Sequence, residues 1–365
     1  MQLRRLTDCS EAVCKPSPWV GKGWVKTMAY SLENRLIIGI STRALFDLRT
    51  ENRIFEEEGV EAYAKYQREH ETEILKPGPG FSLIKALLSL NTPAGMSGTG
   101  RHVSGNRVEV VLMSKNSPDI SLRIFRSIEH YGLDITRSFF TSGAPMAPYL
   151  AAFRTDLFLS ACEEDVRAAI EAGIAAGIVC GEGNHYKESP SDGKIRIAFD
   201  ADAVIFSDEA ENVFRKEGLE AFENSEKKKA DIPLCAGPFA RFLHTISDWQ
   251  QEYAPGESPI RTALVTARSA PAHERVIRTL RAWNVRIDEA CFLGGVTKRD
   301  VLAAFGAQIF FDDQQVHVGP AAEVVPSARV PAITVVSKEE KAAGDEEPAA
   351  ADKIYSMERV IHEVS

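Results

Sequence analysis

Nowhere in the 365 residues is there a run of about eighteen apolar residues, the length a membrane-spanning helix needs. Positive charge is also short: the net charge is −9 and the isoelectric point about 5.5, which argues against the broad basic face of a nucleic-acid binder. Cysteine is sparse and irregularly placed. The six (Cys9, Cys14, Cys162, Cys180, Cys235, Cys291) show no C-x-x-C spacing, so neither a zinc site nor a disulfide framework is indicated, and reduced, mostly buried thiols are expected. The eight histidines form no H-x-x-x-H or H-E-x-x-H arrangement and read as structural or surface residues. The opening M-Q-L-R-R-L-T-D-C-S has no apolar run of signal-peptide length, and a cytoplasmic protein without nucleic-acid or membrane partners is expected.

What is present is an alternation of apolar runs and helical periods. L-I-I-G-I (36–40), V-E-V-V-L-M-S (108–114), S-F-F-T (138–141) and D-L-F-L-S (156–160) read as strands, with an acidic helix around residues 56–70 and an amphipathic one after the Pro77-Gly78-Pro79-Gly80 turn. Residues 92–106, rich in Gly, Ser and Thr, read as a loop. Such alternation predicts an α/β fold with a mainly parallel sheet and helices on its faces.

The second half repeats the first. Residues 44–63 overlay 203–222 without a gap, and the same offset puts Gly78-Pro79 on Gly237-Pro238; beyond the loop, L-M-S-K-N-S falls on L-V-T-A-R-S and Y-L-A-A-F-R-T-D-L-F-L-S-A on V-L-A-A-F-G-A-Q-I-F-F-D-D. The expected organisation is an N-terminal arm (1–30), one lobe over 31–185, a second over 186–336 with a helical insert at about 207–255, and an acidic tail with a short helix (337–365). Residues 331–336 read as a last strand.

The lobes differ where chemistry would sit. In K-I-R-I-A-F-D-A-D, an apolar strand carrying Ile195, Ile197 and Phe199 ends in Asp200 and Asp202, and alternation along a strand sends both carboxylates to one spot at its C-terminal end, where parallel sheets bind ligands. Alone, D-x-D equally fits an Asx-turn or a helix N-cap. Three more segments converge with it: R-T-A-L-V-T-A-R-S, a strand ending in Thr266 with Ala267, Arg268 and Ser269 in the turn; Lys298 after a Gly-Gly turn; and I-F-F-D-D, a strand ending in Asp312 and Asp313. A hydroxyl at a strand end beside a helix start suits a phosphate oxygen. Adjacent carboxylates at a buried strand end call for a cation, and magnesium with its hard oxygen ligands answers that need.

The order D-x-D, Thr, Lys, D-D resembles the haloacid-dehalogenase-like phosphohydrolases. The stretches F-D-A-D-A-V-I-F-S-D-E, P-I-R-T-A-L-V-T-A-R-S-A, I-F-F-D-D-Q with V-H-V after it, and Y-A-K-Y-Q-R-E-H-E look more closely like the cytosolic 5′-nucleotidase type I family, from about Leu36 to His317. The resemblance implies a Rossmann-like, haloacid-dehalogenase-like fold and magnesium-dependent hydrolysis of nucleoside 5′-monophosphates, AMP among them. It implies Asp200 as nucleophile and Asp202 as acid/base. Thr266, Ala267, Arg268 and Lys298 would bind phosphate, and Asp200, Asp202 (by its carbonyl), Asp312 and Asp313 the metal. Ala201 departs from the glycine expected between the two aspartates, tolerable unless the backbone there needs positive φ. Phe206 and Asp208, next to the chemistry in sequence, are candidates for nucleoside specificity; Asp208 alone also reads as a helix N-cap.

Aligned through the repeat, the first lobe has Ser41 and Arg43 for the two aspartates, Ser114 for Thr266, Met146 for Lys298, and Ser160-Ala161 for Asp312-Asp313. It cannot run the same reaction. A structural role is expected, with an anion pocket of Ser41, Arg43, Ser114 and Asn116 for a nucleotide effector, or for part of the substrate site, as the alternative. Another phosphate monoester, phosphoryl transfer to an acceptor, a nucleotide-binding regulatory protein, and a homo-oligomer also remain open.

Overall fold

The computed structural model describes Leu32 and residues 35–91, 107–181 and 192–332. The N-terminal arm, the 92–106 loop and the acidic tail with its helix lie outside these residues. Among the described residues ten strands, β1 (Leu36–Ser41), β2 (Val108–Ser114), β3 (Arg137–Phe140), β4 (Leu157–Ser160), β5 (Ala175–Cys180), β6 (Ile195–Phe199), β7 (Ile260–Thr266), β8 (Glu289–Phe292), β9 (Ile309–Asp312) and β10 (Ser327–Arg329), form one sheet in the order β3-β2-β1-β4-β5-β10-β9-β6-β7-β8. Every pairing is parallel except β5 with β10. The central strands read as near-continuous apolar runs because helices cover both their faces: all of β1, β2, β4, β9 and most of β6 is buried.

Helices fill the crossovers. They are α1 (Thr42–Leu45), α2 (Arg49–Glu69), α3 (Phe81–Leu88), α4 (Leu122–His130), α5 (Ala147–Ala152), α6 (Glu163–Glu171), α7 (Glu209–Lys228), α8 (Ala240–Gln251), α9 (His273–Ala282), α10 (Arg299–Phe305) and α11 (Gln315–Ala322). The longest connections, β1 to β2 and β6 to β7, each hold a long helix bent at a glycine, Gly59 (φ 86, ψ −177) and Gly218 (φ 83, ψ −177), a conformation that side chains with a Cβ avoid. Under β6, Phe199 packs on Phe239, Phe242 and Phe311 at ring separations of 5.7–6.3 Å. Burial of each such ring stabilises by about 1.5–3 kcal/mol, and it fixes the strand end that carries Asp200.

Two strands were not evident in the sequence. β5 (A-A-G-I-V-C) is short of β-branched and aromatic residues, and the last strand lies at Ser327–Arg329, upstream of the 331–336 run; Pro331 and Ala332 are in no strand, and the rest of that run lies outside the described residues. The thiols also differ from expectation: Cys162, Cys180 and Cys291 are half-buried and Cys235 is exposed, all four unbridged. Among the described residues no helix is long and apolar enough to cross a membrane.

Candidate active site

The register brings three strand ends level: Phe199 lies opposite Leu264 of β7 and Phe311 of β9. Just beyond them stand Asp200, Thr266 and Asp312, all buried. Asp200 is extended (φ −72, ψ 163) and its N–H donates to the Phe311 carbonyl at 2.8 Å, so β6 and β9 are locked together at the site. Ligand atoms from Asp200, Asp312 and Asp313 lie within 4.8 Å of one another. Lys298, at the start of α10, reaches in with its ammonium 2.7 Å from Asp200 Oδ1 and 2.6 Å from Asp312 Oδ2.

This cluster is electrically unbalanced. Fully ionised, three carboxylates facing one ammonium would leave two negative charges, the charge of one divalent cation. Burial, added to by the negative charges of Asp312 and Asp202 but opposed by Lys298, pushes Asp200 up to about 7. Burial and the nearby carboxylates of Glu211, Asp200 and Asp312 push Asp313 up to about 8, and its buried Oδ1 has no hydrogen-bond partner. Burial would also raise Asp312, but His317, whose Nδ1 is 3.2 Å from Oδ2, and Lys298 outweigh it and hold that carboxyl below its ordinary value. Burial would lower the Lys298 ammonium; Asp200 and Asp312 overcome it. An orphaned carboxylate oxygen and an all-oxygen donor set fit magnesium.

Asp202 does not point into this cluster. After Asp200 the chain makes one wide turn, Ala201–Ile205, in which Asp202 is extended (φ −77, ψ 142) and Ala203 is left-handed (φ 58). Ala201 is not at positive φ, so alanine in place of the expected glycine carries no strain there. The Asp202 carboxylate is gripped by Arg268, Nη2 to Oδ1 at 2.6 Å and Nε to Oδ2 at 2.8 Å. The same guanidinium donates to Glu226 on α7 and to the Ala272 carbonyl. Arg268 is therefore occupied by carboxylates, whereas the sequence suggested phosphate as its partner. Thr266 Oγ1 accepts the Arg268 N–H at 3.3 Å, and Ala267 is exposed in the turn between them.

The two specificity candidates part company. Phe206 is fully enclosed against Trp283, with ring centroids 5.4 Å apart, and has no face for a ligand. It is a core residue, a correction forced by the tight return of the chain after the wide turn. Asp208 is partly exposed at the head of α7 and makes no side-chain capping bond.

The sequence reading passed over Glu211, Glu226, Arg275 and His317. Glu211 bonds to Gln314 and Arg215, tying α7 to the loop after β9. Glu226 also takes Arg275 Nη1 at 2.7 Å, and Arg275 reaches Glu209. The repeat held a usable signal, since Glu226 overlays Gln67 and Arg268 overlays Asn116.

Three of the four proposed effector residues already have hydrogen-bond partners. Ser41 Oγ caps α1 by accepting the Ala44 N–H, Ser114 Oγ accepts the Asn116 N–H, and Asn116 donates to Tyr63. Arg43 is exposed. Because β5 and β10 are antiparallel, strands β1–β4 run opposite to β6–β9, so Ser41 and Ser114 open on the rim of the sheet away from Asp200 and Thr266. They cannot help build the substrate site.

A family model for 5′-nucleotidases matches residues 28–337. Human cytosolic 5′-nucleotidase 1B is 38% identical over 291 residues, 78% of this chain and 47% of that protein, so the chain spans about half the length of this relative. Among solved structures, histidinol dehydrogenase from Elizabethkingia anophelis covers 80% of the chain and 79% of its own, but at a TM-score of 0.21 and 8% identity the match says nothing about the fold. On the first two matches, the chain belongs to the 5′-nucleotidase family.

Proposed function

We propose that this protein hydrolyses nucleoside 5′-monophosphates of the AMP type to nucleoside and phosphate, with magnesium, from the site at the ends of β6, β7 and β9. Beyond family membership, the observation that carries the reading is the trio of buried Asp200 and Asp312 and half-buried Asp313, with Lys298 between two of its members. Magnesium held by the trio and by the carbonyl of Asp202 would supply charge neutralisation between nucleophile and phosphate. An Asp200 carboxylate oxygen attacks phosphorus as the P–O5′ bond breaks, and Asp202 gives its proton to O5′. Asp202 then takes a proton from the water that attacks phosphorus, and the bond to Asp200 breaks. Lys298, Thr266 and the backbone at Ala267 hold the non-bridging oxygens. Asp208, the partly exposed one of the two specificity candidates, would lie near the nucleoside.

In this reading the chain is two copies of one haloacid-dehalogenase-like lobe. Support comes from the matching strand orders β3-β2-β1-β4-β5 and β8-β7-β6-β9-β10 and from the paired glycine bends. Of the expected 207–255 insert, α7 serves as a cap over the second lobe's site, whereas α8 packs against the sheet through Phe242 and Gln250. The first lobe is a scaffold. A cytosolic location follows the name of the human relative.

Phosphate release from a panel of nucleoside monophosphates and sugar phosphates, with and without magnesium, tests the function. Turnover should need magnesium and favour nucleoside monophosphates, and Asp200→Asn should abolish it with the fold intact. Wild-type turnover by Asp200→Asn would refute the nucleophile, and a preference for sugar phosphates would refute the substrate.

A further inference from the structure

Arg268 and Glu226 form a buried ion pair in the middle of the second half, their side chains 2% and 1% exposed. Burying a guanidinium and its carboxylates costs several kcal/mol per ion before their attraction is counted, so such a pair is a poor way to gain stability. The first half folds without this particular pair, keeping the buried pair of Arg123 with Glu51. There Asn116 stands for Arg268, its N–H on Ser114 Oγ just as the Arg268 N–H is on Thr266 Oγ1. Gln67 stands for Glu226 and Tyr63 for Phe222, the ring over which the Arg268 guanidinium lies at 5.4 Å.

The surrounding frame, by contrast, is the same in both halves. Arg123 and Arg275 each donate Nε to a carbonyl, of Glu73 and Ile232. Ser127 and Thr279 each accept a backbone N–H, from Leu75 and Leu234, and donate back to the carbonyl of that arginine. Each of these arginines also meets a buried glutamate, Arg123 with Glu51 and Arg275 with Glu226, so what is confined to the half that has Asp202 is the Arg268 guanidinium and the bond Glu226 makes to it.

We propose that Arg268 and Glu226 are positioning residues for Asp202, with Glu226 fixing from α7 the guanidinium plane whose two-pronged grip sets the angle at which Asp202 presents its oxygens. The inference rests on the reading above, in which Asp202 moves the protons. It makes the long helix over the site part of the proton-transfer apparatus, and it reassigns Arg268 from the phosphate to the acid/base.

The test is leaving-group dependence. The value of kcat/KM reports the steps up to departure of the leaving group, and p-nitrophenolate leaves without a proton whereas a nucleoside does not. In Glu226→Gln and Arg268→Gln the ratio of kcat/KM for AMP to that for p-nitrophenyl phosphate should fall by roughly tenfold or more, as in Asp202→Asn, and Arg268→Lys should restore little of it because an ammonium cannot make the paired contact. If the ratio in Glu226→Gln stays within about fivefold of wild type, the inference is overturned. It is equally overturned if that nearly isosteric variant loses its melting transition, since the pair would then be structural. Asp200→Asn, assayed alongside, should be inactive on both substrates; activity there would sink the parent reading instead.

Discussion

Asp313 is the side chain most out of balance in the site, half of its carboxylate buried without a partner. Together with Asp200 it ties metal, pH and stability into one prediction. Asp313 and Asp200, pushed up to about 8 and about 7, both ionise at higher pH in the fold than in the unfolded chain, where the ordinary value is 3.8. Between about pH 4 and 8 the fold therefore holds more protons than the unfolded chain, and metal-free stability falls as pH rises through that window. Asp312, held low, acts only below it. Melting curves without metal should drop from pH 5.5 to 8, excess magnesium should flatten the fall, and magnesium added to unbuffered protein near pH 7 should release protons. A pH-independent melting point in both conditions would contradict this. The identity of these acids was legible in the sequence, because apolar strands ending in D-x-D and D-D mark themselves. The orientation of Asp202 was not, since it depends on Arg268, which lies 66 residues further along.

At the scale of elements, one residue separates a working turn from an idle one. In the first half Phe46 N–H bonds back to Thr42, and Gly78 N–H to Leu45; in the second Phe206 N–H bonds back to Ala201, and Gly237 N–H to Ile205. The second turn thus holds an extra residue, which is what lets Asp202 be extended and places Ala203 at positive φ. The gap-free overlay of 44–63 on 203–222 hid this insertion, because a residue is lost again in the first arm of α7, which starts at Glu209 and bends at Gly218 where α2 starts at Arg49 and bends at Gly59. Gly237 presses on the turn: a Cβ there would sit 2.3 Å from the Phe206 carbonyl oxygen, while at Gly78 the nearest approach is 2.8 Å, to the Ala44 oxygen. Gly237→Ala should cost about 1–3 kcal/mol and displace Asp202, lowering kcat more than tenfold; Gly78→Ala should show a similar or smaller loss of stability while kcat stays within a few-fold of wild type. Denaturant melts and steady-state rates on the two variants would decide, and equal losses of kcat would refute the assignment.

For the molecule as a whole, the two five-strand sets share one sheet through β5 and β10, whose pairing spans residues 178–180 and 327–329. Residues 186–336 expressed alone would leave the β10 edge open, and residues 31–185 the β5 edge. Each piece should aggregate or oligomerise, and co-expression should recover soluble, magnesium-dependent phosphatase. Free-standing activity of the second piece would show that the scaffold is dispensable. The repeat was readable as a pattern of apolar runs, but the junction was not, because β5 is made of small residues and β10 is only three residues long.

That junction also sets a timetable for synthesis. On the ribosome β5 emerges with its outer edge bare and must wait for a partner made about 150 residues later. The short, alanine- and glycine-containing sequence that concealed β5 from periodicity is a poor template for stray strands, so the same weakness that hides it in the sequence slows stray pairing for the brief span of synthesis, until Ser327–Arg329 arrives to close the edge that an isolated piece would leave open for good.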